Sequence, residues 1–266
     1  MVNLFKHYIC EIKSIIMKSI AKLIFIALAI MLPAVSFGQK DVTKFLGIPV
    51  DGTKSEMIRK LQAKGFKLVK DPYGDDEHLE GEFNGEDVNV YVVTNNDKVY
   101  RIHLTDKAYR DETEIKSRFN NLVVQFAINS KYKCATDSYT SYIIPDYEDI
   151  SQGMTVLNKE YSASFYQNDT DSAKVLDDMK NMFSGFTEEE FTKLTGYIQQ
   201  IRDIDTDISP NEDFLPTDPK VKELLILIMK YHLRKNVWFT IGEYYGGYKI
   251  LMYYDNILNQ ANGEDL

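Results

Sequence analysis

The 266-residue chain has only two cysteines, Cys10 and Cys134. That is too few for a disulfide framework. Positive charge is also short, with 31 Lys and Arg against 40 Asp and Glu and a net charge of −9. Nucleic-acid binders draw most of their affinity from basic patches, so this balance argues against nucleic acid as a partner. Histidine is scarce: four in all, with no His-x3-His pair to ligate a metal. No Gly-x-Ser-x-Gly elbow occurs, which removes support for a hydrolase of that type. Paired catalytic carboxylates need no motif, so a hydrolase built on distributed acids stays open. No apolar run reaches the roughly 20 residues that a membrane-spanning helix needs.

What is present is ordinary for a folded protein. The chain is 44% hydrophobic and 27% charged, which excludes a disordered or collagen-like chain. Its 18 tyrosines and 14 phenylalanines supply ample core material. The length suits one large domain or two small ones.

The longest apolar stretch, Leu23 to Val35, follows Lys18 and Lys22 and runs into Ser36-Phe37-Gly38. A charged start, a short apolar segment and a small-x-small exit describe a secretory signal peptide covering residues 1–38. Met17 sits where such a signal would begin. Met1–Ile16 is then an extended n-region or a misassigned start, the second being the favoured reading. The mature protein is expected to start at Gln39, exported and without a stable membrane span. Cleavage would remove four lysines and one glutamate, taking the net charge from −9 to −12. Cys134 would remain alone, either buried and inert or a free thiol, with burial favoured.

The mature chain reads as α+β, with antiparallel sheets built from hairpins packed against helices. Thr53-Lys54-Ser55-Glu56 is a capping box opening a helix over residues 55–64. Residues 79–83 and 88–94 flank Asn84-Gly85, a tight hairpin turn, and Asn95-Asn96-Asp97 turns the chain into a strand over 99–104. Ile115, Phe119, Leu122, Val123 and Phe126 recur at helical spacing over 112–129. Residues 154–157 and 161–166 suggest a further hairpin turned at Asn158-Lys159. Thr187 caps a helix to Arg202, and Pro219 opens a buried one to Leu233. Two strands, 237–244 and 248–255, close the chain around Gly246-Gly247. A boundary at 167/168 divides an N-terminal half, 39–167, from a C-terminal half, 168–266. Two related halves and one continuous domain are both open readings.

The motifs that could carry chemistry are incomplete. Gly47 to Ser55 nearly matches a phosphate-binding loop, but its lysine is displaced by one residue, and the capped-helix reading is preferred. Asp203, Asp205 and Asp207 alternate as in a calcium loop, the weak metal alternative. Ile208 stands where that loop needs glycine and Phe214 where it needs glutamate. The Asp71–Glu82 cluster reads as a surface loop. His103 alternates with strand residues and is expected to point outward, while His232 ends an apolar face. No catalytic residue and no cofactor are assigned.

The two clearest hairpins read either as copies of one unit or as unrelated hairpins that share glycine turns and alternating apolar residues. Gly81-Glu82-Phe83 and Gly242-Glu243-Tyr244 each run into a glycine turn and an apolar strand. Aligned without a gap, Val88, Val90 and Val92 meet Lys249, Leu251 and Tyr253, on mismatched faces. One extra residue in the Tyr245-Gly246-Gly247 turn would match them to Ile250, Met252 and Tyr254, and Tyr91 to Tyr253. Both tyrosines would then oppose a buried face, which makes Tyr91 and Tyr253 the candidate contact surface.

Phe45-Leu46-Gly47-Ile48-Pro49-Val50-Asp51-Gly52-Thr53-Lys54-Ser55-Glu56-Met57, continuing through Gly65-Phe66, resembles the opening of a family of uncharacterised exported proteins of gut Bacteroidetes. Tyr253-Tyr254-Asp255-Asn256 with Ala261-Asn262-Gly263-Glu264-Asp265-Leu266 is similar to that family's ending. The layout of a short helix feeding antiparallel strands is similar in outline to beta-lactamase-inhibitor-like repeat modules of bacterial envelopes. Asp171-Ser172-Ala173 resembles the short O-glycosylation signal of Bacteroidetes envelope proteins. The expectation is an exported, non-catalytic protein that binds another macromolecule or a glycan. The alternative is a hydrolase of envelope or dietary polymers.

Overall fold

The structure is a computed structural model that describes residues 41–70, 77–168, 181–203 and 216–260. The signal segment, residues 71–76 of the Asp71–Glu82 cluster, Asp205, Asp207 and Ser172 lie outside the described residues; the rest of that cluster, Glu77–Glu82, is strand rather than the expected surface loop, because it pairs with a strand on each side. The fold is α+β. The chain divides into two units, one built from Val42–Asn168 with Leu233–Leu266 and one containing Asp169–His232. No described helix is long and apolar enough to cross a membrane.

In the first unit, a small hairpin of β1 (Lys44–Phe45) and β2 (Ile48–Pro49) leads into α1 (Lys54–Gln62). The capping box opens this helix as expected: the Thr53 hydroxyl accepts from Glu56 N–H, and the Glu56 carboxylate accepts from Thr53 N–H. Strands β3 (Lys67–Lys70), β4 (Glu77–Phe83), β5 (Glu86–Asn95) and β6 (Lys98–Asp106) follow, then α2 (Glu112–Ile128). After β7 (Tyr132–Cys134) come α3 (Ile150–Thr155) and β8 (Ser162–Gln167), and β9 (Asn236–Tyr244) and β10 (Gly247–Asp255) complete the sheet. The order is β3-β4-β5-β6-β10-β9-β8-β7, antiparallel at every step. This one sheet crosses the 167/168 boundary drawn from the sequence.

Alternation sets the two faces of the sheet. Val88, Val90, Val92, Ile102, Leu104, Ile250, Met252, Tyr254, Val237 and Phe239 are buried on one face. Met57 and Leu61 of α1, five residues of α2 and Ile150 of α3 join the same core cluster. All three helices of this unit therefore serve that face.

Residues 154–157 are not a strand. Asp149 caps α3 by accepting from Gln152 N–H, and Val156 and Leu157 are exposed beyond its end. The Val156-Leu157 pair borders a polar turn, but a helix cap at Asp149, five residues before Met154, is the stronger local instruction. Gly153 lets α3 lie against Tyr161, because a Cβ there would fall 2.1 Å from the tyrosine hydroxyl.

The hairpin comparison also needs correction. Phe83 pairs with Glu86 and Tyr244 with Gly247, so both turns contain two residues and no residue is inserted. Asn84, Gly85, Tyr245 and Gly246 all have positive φ, the primed-turn geometry. Superposed turn on turn, Val88 falls on Lys249, and the two hairpins bury opposite faces. They flank β6 as mirror partners rather than as rotated copies. What matches is their register on β6: Val90 and Met252 both pair with Leu104, Tyr91 and Tyr253 with His103, Val92 and Tyr254 with Ile102.

The second unit holds α4 (Glu188–Asp203) and α5 (Pro219–Leu233), the latter ending at the boundary with the first unit. Thr187 and Glu190 form a capping box, and the Asp218 carboxylate accepts from Lys220 and Val221 N–H ahead of α5. Leu194, Val221, Leu224, Leu225, Ile228 and Tyr231 make its own small core. Asp203 closes α4 without its calcium-loop companions among the described residues.

Candidate functional site

On the sheet face opposite α1, α2 and α3, a row of rings crosses five strands. Pairing places Tyr91 opposite His103, His103 opposite Tyr253, and Tyr253 opposite Trp238. Trp238 stacks on Tyr253 with centroids 4.1 Å apart, and Tyr253 on His103 at 4.6 Å with planes 11° apart. Tyr91 continues the stack at 5.5 Å, and His78 of β4 lies 5.5 Å beyond it. These spacings track the roughly 4.8 Å between neighbouring strands, which is why in-register rings meet face to face.

Arg101 lies two residues before His103, at the next position on the same face. Its guanidinium bonds both carboxylate oxygens of Asp255, at 2.6 and 3.0 Å, and sits 4.8 Å from the Tyr253 ring centre. Trp238 Nε1–H donates to the same carboxylate at 2.8 Å. One ion pair thus fixes the rotamers at the Trp238 end of the row. Burial works against the charge on Arg101, but the Asp255 bond holds its pKa above the ordinary value. Burial, helped by the neighbouring Arg101 charge, takes His103 down to about 4, so this imidazole is neutral at pH 7. Burial also raises the Tyr253 phenol. At the other end, Lys107 pairs with Glu80 at 2.9 Å, and His78 Nε2 is 3.6 Å from the same carboxylate.

Comparison with family models, with curated proteins and with solved structures found no match. The function must therefore be argued from the geometry.

Both tyrosines singled out from the sequence belong to the row, held apart by His103. Nothing in the sequence marks Arg101, Trp238 or Asp255 as site residues, and alternation gives His103 only an outward direction. Parity along each strand marks all of them as residues of the open face, but only the strand order brings them together. Among the described residues, the remaining sequence candidates form no site. Cys134 is half-buried on β7, its Sγ 3.2 Å from the Thr136 hydroxyl, rather than fully buried. Among the described residues, no group of three or more His, Cys, Asp or Glu is placed to hold a metal.

Two acids do meet at the far end of the core face. Asp106 and Glu86 share Arg110, at 2.9 and 2.6 Å, and Arg118, at 3.3 and 3.9 Å. Burial pushes the Asp106 carboxyl up, against the pull of Arg118 and Arg110. The arrangement ties α2 to β5 and β6. A cleft of about 250 Å³ opens elsewhere, between the Asn84 turn and the end of α2, floored by Phe126, Tyr132 and Tyr254.

Proposed function

We propose that this chain is an exported, non-catalytic binding protein whose contact surface is the open sheet face centred on the aromatic row. The observation that supports this reading is the polar content of the row. A ladder selected for stability alone would gain as much from apolar rings, because a half-buried ion pair and a desolvated imidazole each carry an electrostatic cost. Placing Arg101, Asp255 and His103 among stacked rings combines large, rigid contact area with fixed hydrogen-bonding groups, as recognition surfaces do. Export rests on the charged, apolar and small-residue succession over residues 1–38.

The hydrolase alternative has less behind it. It needs two acids facing a cleft with room for substrate. Asp106 and Glu86 are instead each gripped by two arginines.

The test is capture from the native envelope with the mature chain beginning at Gln39. Wild type should retain a ligand that Tyr91→Ser and Tyr253→Ser variants lose, circular dichroism confirming that both fold. Equal retention by wild type and both folded variants would overturn the assignment of the face.

A further inference from the structure

We propose that the open face binds a neutral polysaccharide, with one pyranose ring seated against the outer side of the Trp238 indole; this rests on the binding-face reading above. Among the described residues, the row of rings stops at Trp238. Its inner side is covered by Tyr253, whereas its pairing partner on β8 is Ser164. The next pair along is Ser162 with Thr240. A floor of three small hydroxyl side chains therefore lies beside one indole face, where a flat ring can continue the stack.

The hydrogen-bond directions at this floor select the ligand's chemistry. Ser164 donates its hydroxyl proton to Asn236 Oδ1 at 2.8 Å, and Thr240 donates to the Tyr161 carbonyl at 2.9 Å. Each hydroxyl has spent its single proton and keeps lone pairs to accept. The matching ligand presents donors around its rim and an apolar face toward the indole. A pyranose does both, with C–H bonds on its face and hydroxyls at its edge.

Charge narrows the class further. Arg101 is satisfied by Asp255, and Lys107 by Glu80. Arg101 lies 5.7 Å from the Trp238 ring centre, so an anion stacked there would have to draw it away from Asp255, and the net charge of −12 expected after cleavage opposes anions at long range. The face thus matches a neutral saccharide rather than a uronic-acid polymer or a charged peptide.

Trp238 is the sole tryptophan, so intrinsic fluorescence reports this position directly. The mature chain is titrated with maltohexaose, cellohexaose, mannohexaose, xylohexaose and hexagalacturonate. At least one neutral hexasaccharide should give a saturable change, with hexagalacturonate at least tenfold weaker. Ser164→Phe, which fills the place of the next ring, should weaken the neutral ligand at least tenfold without lowering the urea midpoint. Thr240→Val, which removes one acceptor, should weaken it several-fold and covers the case in which Ser164→Phe fails to fold. No response to any neutral hexasaccharide, equal response to hexagalacturonate, or unchanged binding in both variants would overturn the proposal. If it is overturned while Tyr91- and Tyr253-dependent capture persists, the face serves another class of ligand, such as a protein. If that capture is also absent, the binding-face reading falls with it.

Discussion

Acid should weaken this fold through His103. In the unfolded chain the imidazole takes up a proton near its ordinary pKa of 6.5, whereas in the folded sheet it stays neutral down to about 4. Between those values the unfolded state binds more protons, so stability falls as pH falls and levels off below about 4. Taken at face value the displacement is worth about 3 kcal/mol, at roughly 1.4 kcal/mol per pKa unit. The ring is only half-buried, and solvent screening reduces that to about 1–2 kcal/mol. The groups facing His103 are Arg101 and the Thr105 hydroxyl, 3.3 Å from Nε2, on its own strand, Tyr91 on β5, and Tyr253 and Asp255 on β10. The assay is urea unfolding followed by Trp238 fluorescence at pH 7 and pH 4.5, extrapolated linearly to water. His103→Phe keeps a ring in the stack but cannot titrate. Other acids titrate in both proteins, so the comparison is the difference in pH dependence. Wild type should lose about 1–2 kcal/mol more than the variant on acidification. Equal losses, or an imidazole pKa near 6.5 by NMR, would refute the desolvation argument.

Glycine substitutions should separate crowded from open positions. A Cβ at Gly81 would meet the buried Phe66 ring at 2.6 Å, so Gly81→Ala should cost about 1–3 kcal/mol in urea unfolding. Gly196, inside α4, has open space, and Gly196→Ala should raise helicity and add about 0.5–1 kcal/mol. Asp106→Asn leaves Arg110 and Arg118 short of a counter-charge at a site 4% exposed, and should cost about 2–4 kcal/mol, again read from the urea midpoint. N-terminal sequencing of the exported protein should begin at Gln39 or its cyclised form, and a product retaining Leu23–Val35 would contradict export by cleavage.

The contrast between the helices and the aromatic row shows which physics a sequence carries locally. Helix α2 was legible to within a residue because its cap, its apolar spacing and its end all lie within twenty consecutive positions. The turns at Asn84-Gly85 and Asn96-Asp97 were legible for the same reason: residues that tolerate positive φ announce them. Tyr245 does not belong to that set, and the last turn was accordingly placed one residue late, at Gly246-Gly247. The supposed insertion answers only the demand that both hairpins bury matching faces, whereas the ungapped match of Val88 with Lys249 is the one that the two-residue turns give.

The aromatic row illustrates the converse. Its members are spread over residues 78–253, and nothing near any of them specifies the others. Parity alone put Tyr91 and Tyr253 on the same side of the sheet, which is why they could be named. It could not put His103 between them, because that depends on β6 being the strand on which the two hairpins converge. Such a row is a property of topology, held by main-chain register, and each ring fixes the position of the next. The same reasoning locates the proposed ligand position: a stack built by register ends where register supplies a side chain with no ring. Ser164 is that residue, and the proposed saccharide would continue the stack there.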